Sequence, residues 1–167
     1  MEKITSRANP LLVHMKKLAA SGAYRREQGV YLGDSPKLLA EALKWHAPIR
    51  EIAITGGTAL PSVPAGVRVV EVPEDVMASI SPMATPQGAV FVCRLPQEVP
   101  FRPEKGMLLL DGIQDPGNLG TILRTADALD IPVALLEGCA DPYSHKVVRA
   151  SMGAVLRTQP VLTTWEE

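Results

Sequence analysis

The stretch Asp111-Gly-Ile-Gln-Asp-Pro-Gly-Asn-Leu-Gly-Thr-Ile-Leu-Arg-Thr-Ala-Asp127 constrains the fold more than any other, because it must leave a strand, turn sharply and enter a helix within a few residues. Met107-Leu-Leu-Leu110 ahead of it is a continuous apolar run, the pattern of a strand buried on both faces. Asp115-Pro-Gly117 then punctuates the turn. A helix is predicted from near Asn118, whose side chain can cap the free amides of the first turn, with Leu119, Ile122, Leu123 and Ala126 recurring along one buried face. Arg124 falls off that face. Leaning back toward the helix start, as helical side chains do, it can share an anion with the exposed amides there, phosphate above all. Taken singly, each piece has a plainer role: Asn118 as a cap alone, Arg124 as the ion-pair partner of Asp127 three residues on.

The surrounding pattern is that of an α/β protein. Leu11, Leu12, Met15, Leu18 and Ala19 recur at helical spacing, so residues 10 to 21 read as an amphipathic helix ending at Gly22, with Lys16 and Lys17 outside. Strands are predicted at Val30 to Leu32, Ile49 to Ile54, Val67 to Val72 and Ala89 to Arg94, and helices at Pro36 to Trp45 and Glu74 to Ser79. Pro96, Pro100 and Pro103 crowd the next ten residues, a semi-rigid stretch unable to continue a sheet, so a linker is placed at 96 to 105 between domains 1 to 95 and 106 to 167. After it come a strand Met107 to Asp111, a helix Asn118 to Leu129, a strand Val133 to Leu136, a helix His145 to Met152 and a strand Val155 to Val161. That is the opening of a parallel, doubly wound domain.

Charge is unevenly spread. The net charge is −1, yet residues 1 to 50 carry nine Lys/Arg against four Asp/Glu, and each later section is acidic. Arg7, Lys16, Lys17, Arg25 and Arg26 are therefore candidates for an RNA-backbone patch, although a solvated helix face has the same composition. Cys93 and Cys139 are the only cysteines and lie far apart, and His14, His46 and His145 stand alone, so no metal site is expected. Without a signal peptide or an apolar run of about 18 residues, the chain is expected to be soluble and cytoplasmic, with no membrane partner.

Asp111 to Asp127 resembles, nearly residue for residue, the first signature of the TrmH/SpoU branch of the SPOUT superfamily, the S-adenosylmethionine-dependent RNA ribose 2′-O-methyltransferases. Asp141-Pro-Tyr-Ser-His-Lys-Val-Val-Arg-Ala-Ser-Met-Gly-Ala154 resembles the family's second stretch, with Lys146, Arg149, Ser151 and Gly153 in place. Ile4 to Pro10, Tyr31 to Lys37 and Thr85 to Gly88 resemble its N-terminal substrate-binding domain more loosely. Relatives typically carry Glu-Gly where this chain has Asp34-Ser35, and a glycine where it has Asp130.

The resemblance implies an N-terminal domain with a fold like that of small RNA-binding ribosomal proteins, then the start of a knotted SPOUT domain that usually dimerises. It implies Asn118 and Arg124 at the active site and S-adenosylmethionine as cofactor. Arg124 would grip the target phosphate and polarise the ribose hydroxyl; orientation is favoured over proton abstraction because a guanidinium is essentially always charged. Lys146, Arg149 and Ser151 would contact RNA or a neighbouring subunit, and ribosomal RNA is the expected substrate. The signatures supplying the knot and most of the cofactor pocket lie, in the family, beyond the equivalent of Glu167. A truncated or short form is therefore expected, with a non-catalytic RNA-binding module as the alternative. A nucleotide-binding Rossmann domain fits poorly, since Gly112, Gly117 and Gly120 do not have Gly-x-Gly-x-x-Gly spacing.

Overall fold

The computed structural model describes residues 1–97, 100–103 and 106–166. It divides into two compact units, Met1–Leu95 and Pro96–Glu167. Of the proposed linker, Glu98, Val99, Glu104 and Lys105 lie outside the described residues.

In the first unit, β1 (Glu2–Lys3), β2 (Val30–Asp34), β3 (Ile49–Ile54), β4 (Arg68–Glu71) and β5 (Ala89–Arg94) form one sheet in the order β1-β4-β3-β5-β2. β1, β4 and β3 run parallel, and β5 runs antiparallel to both β3 and β2. One sheet face packs on α1 (Pro10–Ala20) and α4 (Glu74–Ile80): Leu12, Met15 and Leu18 meet Val70, Val72, Val90 and Val92 together with Val76, Met77 and Ile80. Alternation along β5 turns Phe91 to the opposite face, that of α3 (Pro36–Lys44). Gly33 is required there because a Cβ would lie 2.2 Å from Phe91 Cζ.

Two short elements fall outside the sequence reading, β1 and α2 (Gly22–Gln28). Gly22 opens α2 instead of merely ending α1, because the Ser21 hydroxyl accepts from the Tyr24 amide and caps a new helix. The Asp34-Ser35 departure has a clear geometry. Asp34 is buried and accepts from Ser81 Oγ at 2.5 Å, while Ser35 sits at φ 103°, a conformation natural to glycine, and caps α3 by accepting from the Leu38 amide.

In the second unit, β6 (Leu108–Leu110), β7 (Val133–Leu135) and β8 (Val161–Leu162) form a parallel sheet in the order β6-β7-β8, with α5 (Pro116–Ala128), α6 (His145–Ala150) and α7 (Val155–Thr158). Three expectations are corrected here. The Met107–Leu110 strand is not buried on both faces: β6 pairs with β7, and Leu108 and Leu109 are 37% and 42% exposed. The strand expected over Val155 to Val161 is instead α7 followed by β8: the Arg157 and Thr158 amides both close back on Ala154 O at 2.9 Å, and Arg157 reaches Asp127 of α5. The helix expected from Asn118 begins at Pro116. Asp130, in place of the usual glycine, takes φ 54° just past α5, a left-handed position that aspartate tolerates better than most residues.

Candidate active site

The turn into α5 is built by three residues. Asp115 is the N-cap, its Oδ1 accepting from the Asn118 amide at 2.7 Å. Pro116 takes the first helical position, where its missing N–H costs nothing and its fixed φ suits the helix. Gly117 follows without a side chain. Asn118 is thus not the cap but the third residue of the helix, and its amide group is left facing solvent. Asp115-Pro116 is the sequence signal for this start, and asparagine, an equally good cap, is the competing signal two residues on.

Leu119, Gly120, Leu123 and Ala126 form the buried face of α5, leaving Asn118, Thr121, Arg124 and Thr125 outside. Gly117 and Arg124 share one stripe, seven residues being close to two turns. Asp127 does not hold Arg124. It is engaged by Arg157, with Nη2 2.5 Å and Nε 2.9 Å from Oδ2. Among the described residues no carboxylate pairs with Arg124, which stands exposed about two turns beyond the start of α5.

The loops at the carboxyl ends of β6 and β7 adjoin one another. The Ala140 amide donates to Ile113 O at 2.8 Å and Cys139 Sγ to Leu110 O at 3.4 Å. Gly112 and Gly138 both take positive φ, and a Cβ on Gly138 would lie 3.8 Å from Gly112 Cα. Bare backbone therefore meets where these two strand-end loops adjoin.

The second stretch supplies α6, which packs against α5. Lys146 and Arg149 are exposed. Ser151 is not: it is fully buried, with its hydroxyl donating to Val148 O at 2.9 Å and accepting from the Val155 amide. A nucleic-acid contact for Ser151 is therefore corrected to a structural joint between α6 and α7. Sequence reading also missed Gly120, where a Cβ would stand 2.4 Å from Ala150 Cβ.

In the first unit Lys16 and Lys17 on α1 and Arg26 on α2 are exposed, and Lys17 Nζ lies 5.6 Å from the Tyr24 ring centroid. Arg7 is exposed and paired with Asp75 at 2.8 Å. Arg25 must be removed from the candidate patch. It is 6% exposed and donates to Leu18 O at 2.6 Å, tying α2 to the end of α1. Tyr24 OH lies 2.9 Å from His14 Nδ1, and burial holds the His14 pKa below the usual imidazole value. Burial likewise pushes the Cys93 thiol up to about 12, leaving it inert at neutral pH. Among the described residues no three His, Cys, Asp or Glu side chains cluster as metal ligands, and no helix is long and apolar enough to cross a membrane.

Comparison with known proteins agrees with this arrangement. Residues 1–90 match the MRM3-like substrate binding domain, and residues 105–167 match the SpoU rRNA Methylase family. The chain belongs to the SpoU/TrmH methyltransferase family. Within that family it is 34% identical over 156 residues to the 23S rRNA (guanosine(2553)-2′-O)-methyltransferase RlmP of Bacillus subtilis, covering 92% of this chain and 62% of that one. The structure of a putative RNA methyltransferase of the TrmH family from Porphyromonas gingivalis superposes with a TM-score of 0.83 at 40% identity, covering 93% of this chain and 62% of the other. An AdoMet-bound rRNA methyltransferase from Sinorhizobium meliloti gives a TM-score of 0.82 at 29% identity, covering 99% and 66%. The chain thus spans a little over three fifths of the length of these SpoU/TrmH relatives.

Proposed function

We propose that the protein carrying this chain transfers a methyl group from S-adenosylmethionine to a ribose 2′-hydroxyl of RNA, ribosomal RNA in particular. The observation that carries this reading is helix α5, capped by Asp115, opened by Pro116-Gly117, and bearing Asn118 and Arg124 on its exposed side, where Arg124 pairs with no carboxylate among the described residues. The exposed guanidinium fork of Arg124 is suited to one nucleotide phosphate.

When bound, S-adenosylmethionine supplies an electrophilic methyl on a sulfonium. The side-chain-free backbone at Gly112 and Gly138 would serve as one wall for the cofactor, since backbone there meets a ligand without side chains in the way. Arg124 holds the phosphate of the target nucleotide and lowers the energy of charge developing on the hydroxyl. Asn118 orients the nucleotide from the third helical position. Such positioning alone can remove roughly 7 to 11 kcal/mol of barrier. Lys146 and Arg149 add phosphate contacts from α6. The first unit is the substrate-binding domain, folded like a small RNA-binding ribosomal protein, and the enzyme is a cytoplasmic homodimer. These assignments rest on the family resemblance together with the similarity to RlmP.

Methyl-labelled cofactor and ribosomal RNA transcripts incubated with this protein are expected to yield label on ribose 2′-oxygens. Transcripts that stay unlabelled at saturating cofactor would leave only the reading as a non-catalytic RNA-binding module.

A second result is expected of the first unit. Replacing Lys16, Lys17 and Arg26 with alanine together removes three exposed cations, so RNA affinity should fall and the slope of log K against log salt should flatten by about 2 to 3. An unchanged slope places the phosphate contacts elsewhere.

A further inference from the structure

We propose that Trp45 is a stacking platform for an unpaired RNA base, a contact surface of the first unit distinct from the α1 and α2 cations. The proposal rests on the RNA-substrate reading above and adds a specific residue to it.

Trp45 is 51% exposed, although an indole is costly to leave in water. It is held in place. It forms the C-cap of α3, its amide donating to Glu41 O at 3.0 Å, and its indole Nε1–H donates to Glu41 Oε2 at 3.3 Å. The following turn is pinned as well. His46 takes φ 54°, the Ala47 amide donates to Ala42 O at 2.9 Å, and Pro48 O accepts from the Arg94 amide at 3.1 Å. A ring fixed this way loses little freedom when something stacks on it.

The neighbours decide what stacks. Lys44 Nζ lies 5.6 Å from the indole centroid and His46 is exposed, while Glu41 is held at the ring edge by the indole N–H and Arg50 pairs with Glu51 at 3.7 Å. The core of a protein–protein interface is apolar and depleted of charge. An exposed aromatic face with an ammonium beside it is instead the arrangement of a single-stranded nucleic-acid site, where a base stacks on the ring and the cation meets the backbone. Lys44 can leave the ring for a phosphate as the base arrives.

The test uses the protein with Trp165→Phe, so that Trp45 is the only tryptophan emitter. Titration with a single-stranded oligonucleotide of RNA is expected to quench Trp45 emission, and Trp45→Leu to weaken binding about fivefold or more, the low end for one stacked base. Trp45→Phe, which keeps a π face, should restore most of the affinity. Quenching that is absent, or equal affinity for the leucine and phenylalanine variants, overturns the platform while leaving the RNA reading intact. A self-association abolished by Trp45→Leu, with RNA affinity unchanged, overturns it in favour of a protein contact. Failure of the parent protein to bind any RNA overturns both.

Discussion

Arg124→Ala is expected to lower methyl transfer by about tenfold or more while leaving S-adenosylmethionine affinity nearly unchanged. The magnitude follows from the loss of charge-assisted hydrogen bonds to a phosphate, ~1.5–3 kcal/mol, where ~1.4 kcal/mol is one decade of rate. The variant should fold normally. Arg124 lies outside the buried face of α5, no carboxylate among the described residues depends on it, and alanine favours a helix at least as strongly as arginine. The loss should therefore appear in kcat and in kcat/KM for RNA rather than in melting temperature. Arg124→Lys should recover little, since an ammonium is a point charge and lacks the planar fork that grips two oxygens at once. Full recovery by lysine would reduce the role of Arg124 to general attraction, and wild-type activity in the alanine variant would remove it from the site.

Much of this arrangement was legible in the sequence because local and tertiary preferences coincide. Leu119, Leu123 and Ala126 recur at helical spacing and do face the interior, and the apolar strands expected at 30–32, 49–54 and 89–94 are present, the first running on to Asp34. Failures occur where a long-range contact outranks the local pattern. Arg25 reads as a surface cation in a polar heptapeptide, yet the peptide is a helix whose arginine is drawn inward by the Leu18 carbonyl. Val155 to Val161 has the composition of a strand, but its first residues close a helical turn on Ala154 O and the turn is held by the long-range Arg157–Asp127 ion pair. Ser151 sits in a motif rich in exposed cations and is itself enclosed, because Gly120 lets α5 approach α6 until the serine has no route to water. No one-dimensional pattern carries such an approach. A glycine in mid-helix is the available hint, since it costs about 1 kcal/mol against alanine and persists only with a reason.

Gly120 supports the second large prediction. A Cβ at this position would stand 2.4 Å from Ala150 Cβ and 2.8 Å from both Ala150 C and Ser151 N. Two of these three atoms are backbone, so no rotamer change relieves them and the helices must move apart. Overpacking of this kind costs about 1–3 kcal/mol, set against a gain of about 1 kcal/mol in helix propensity when glycine becomes alanine. Gly120→Ala should therefore destabilise modestly, and Gly120→Val, bulkier and β-branched, by about 3 kcal/mol. The effect should be confined to one unit: amide exchange protection is lost in residues 106–166 and kept in 1–95, because each unit has its own sheet. Ala150→Gly should rescue Gly120→Ala only in part, as it removes the contact at 2.4 Å and leaves the two backbone contacts at 2.8 Å. A more stable Gly120→Ala protein would mean that α5 and α6 separate freely and that propensity governs. The site then loses its frame, since that close approach on the Gly120 face fixes α5, with Asn118 and Arg124 on its exposed side, relative to the helix bearing Lys146 and Arg149. A displacement of about 1 Å in such a frame is enough to cost about two decades of rate without touching a reacting group.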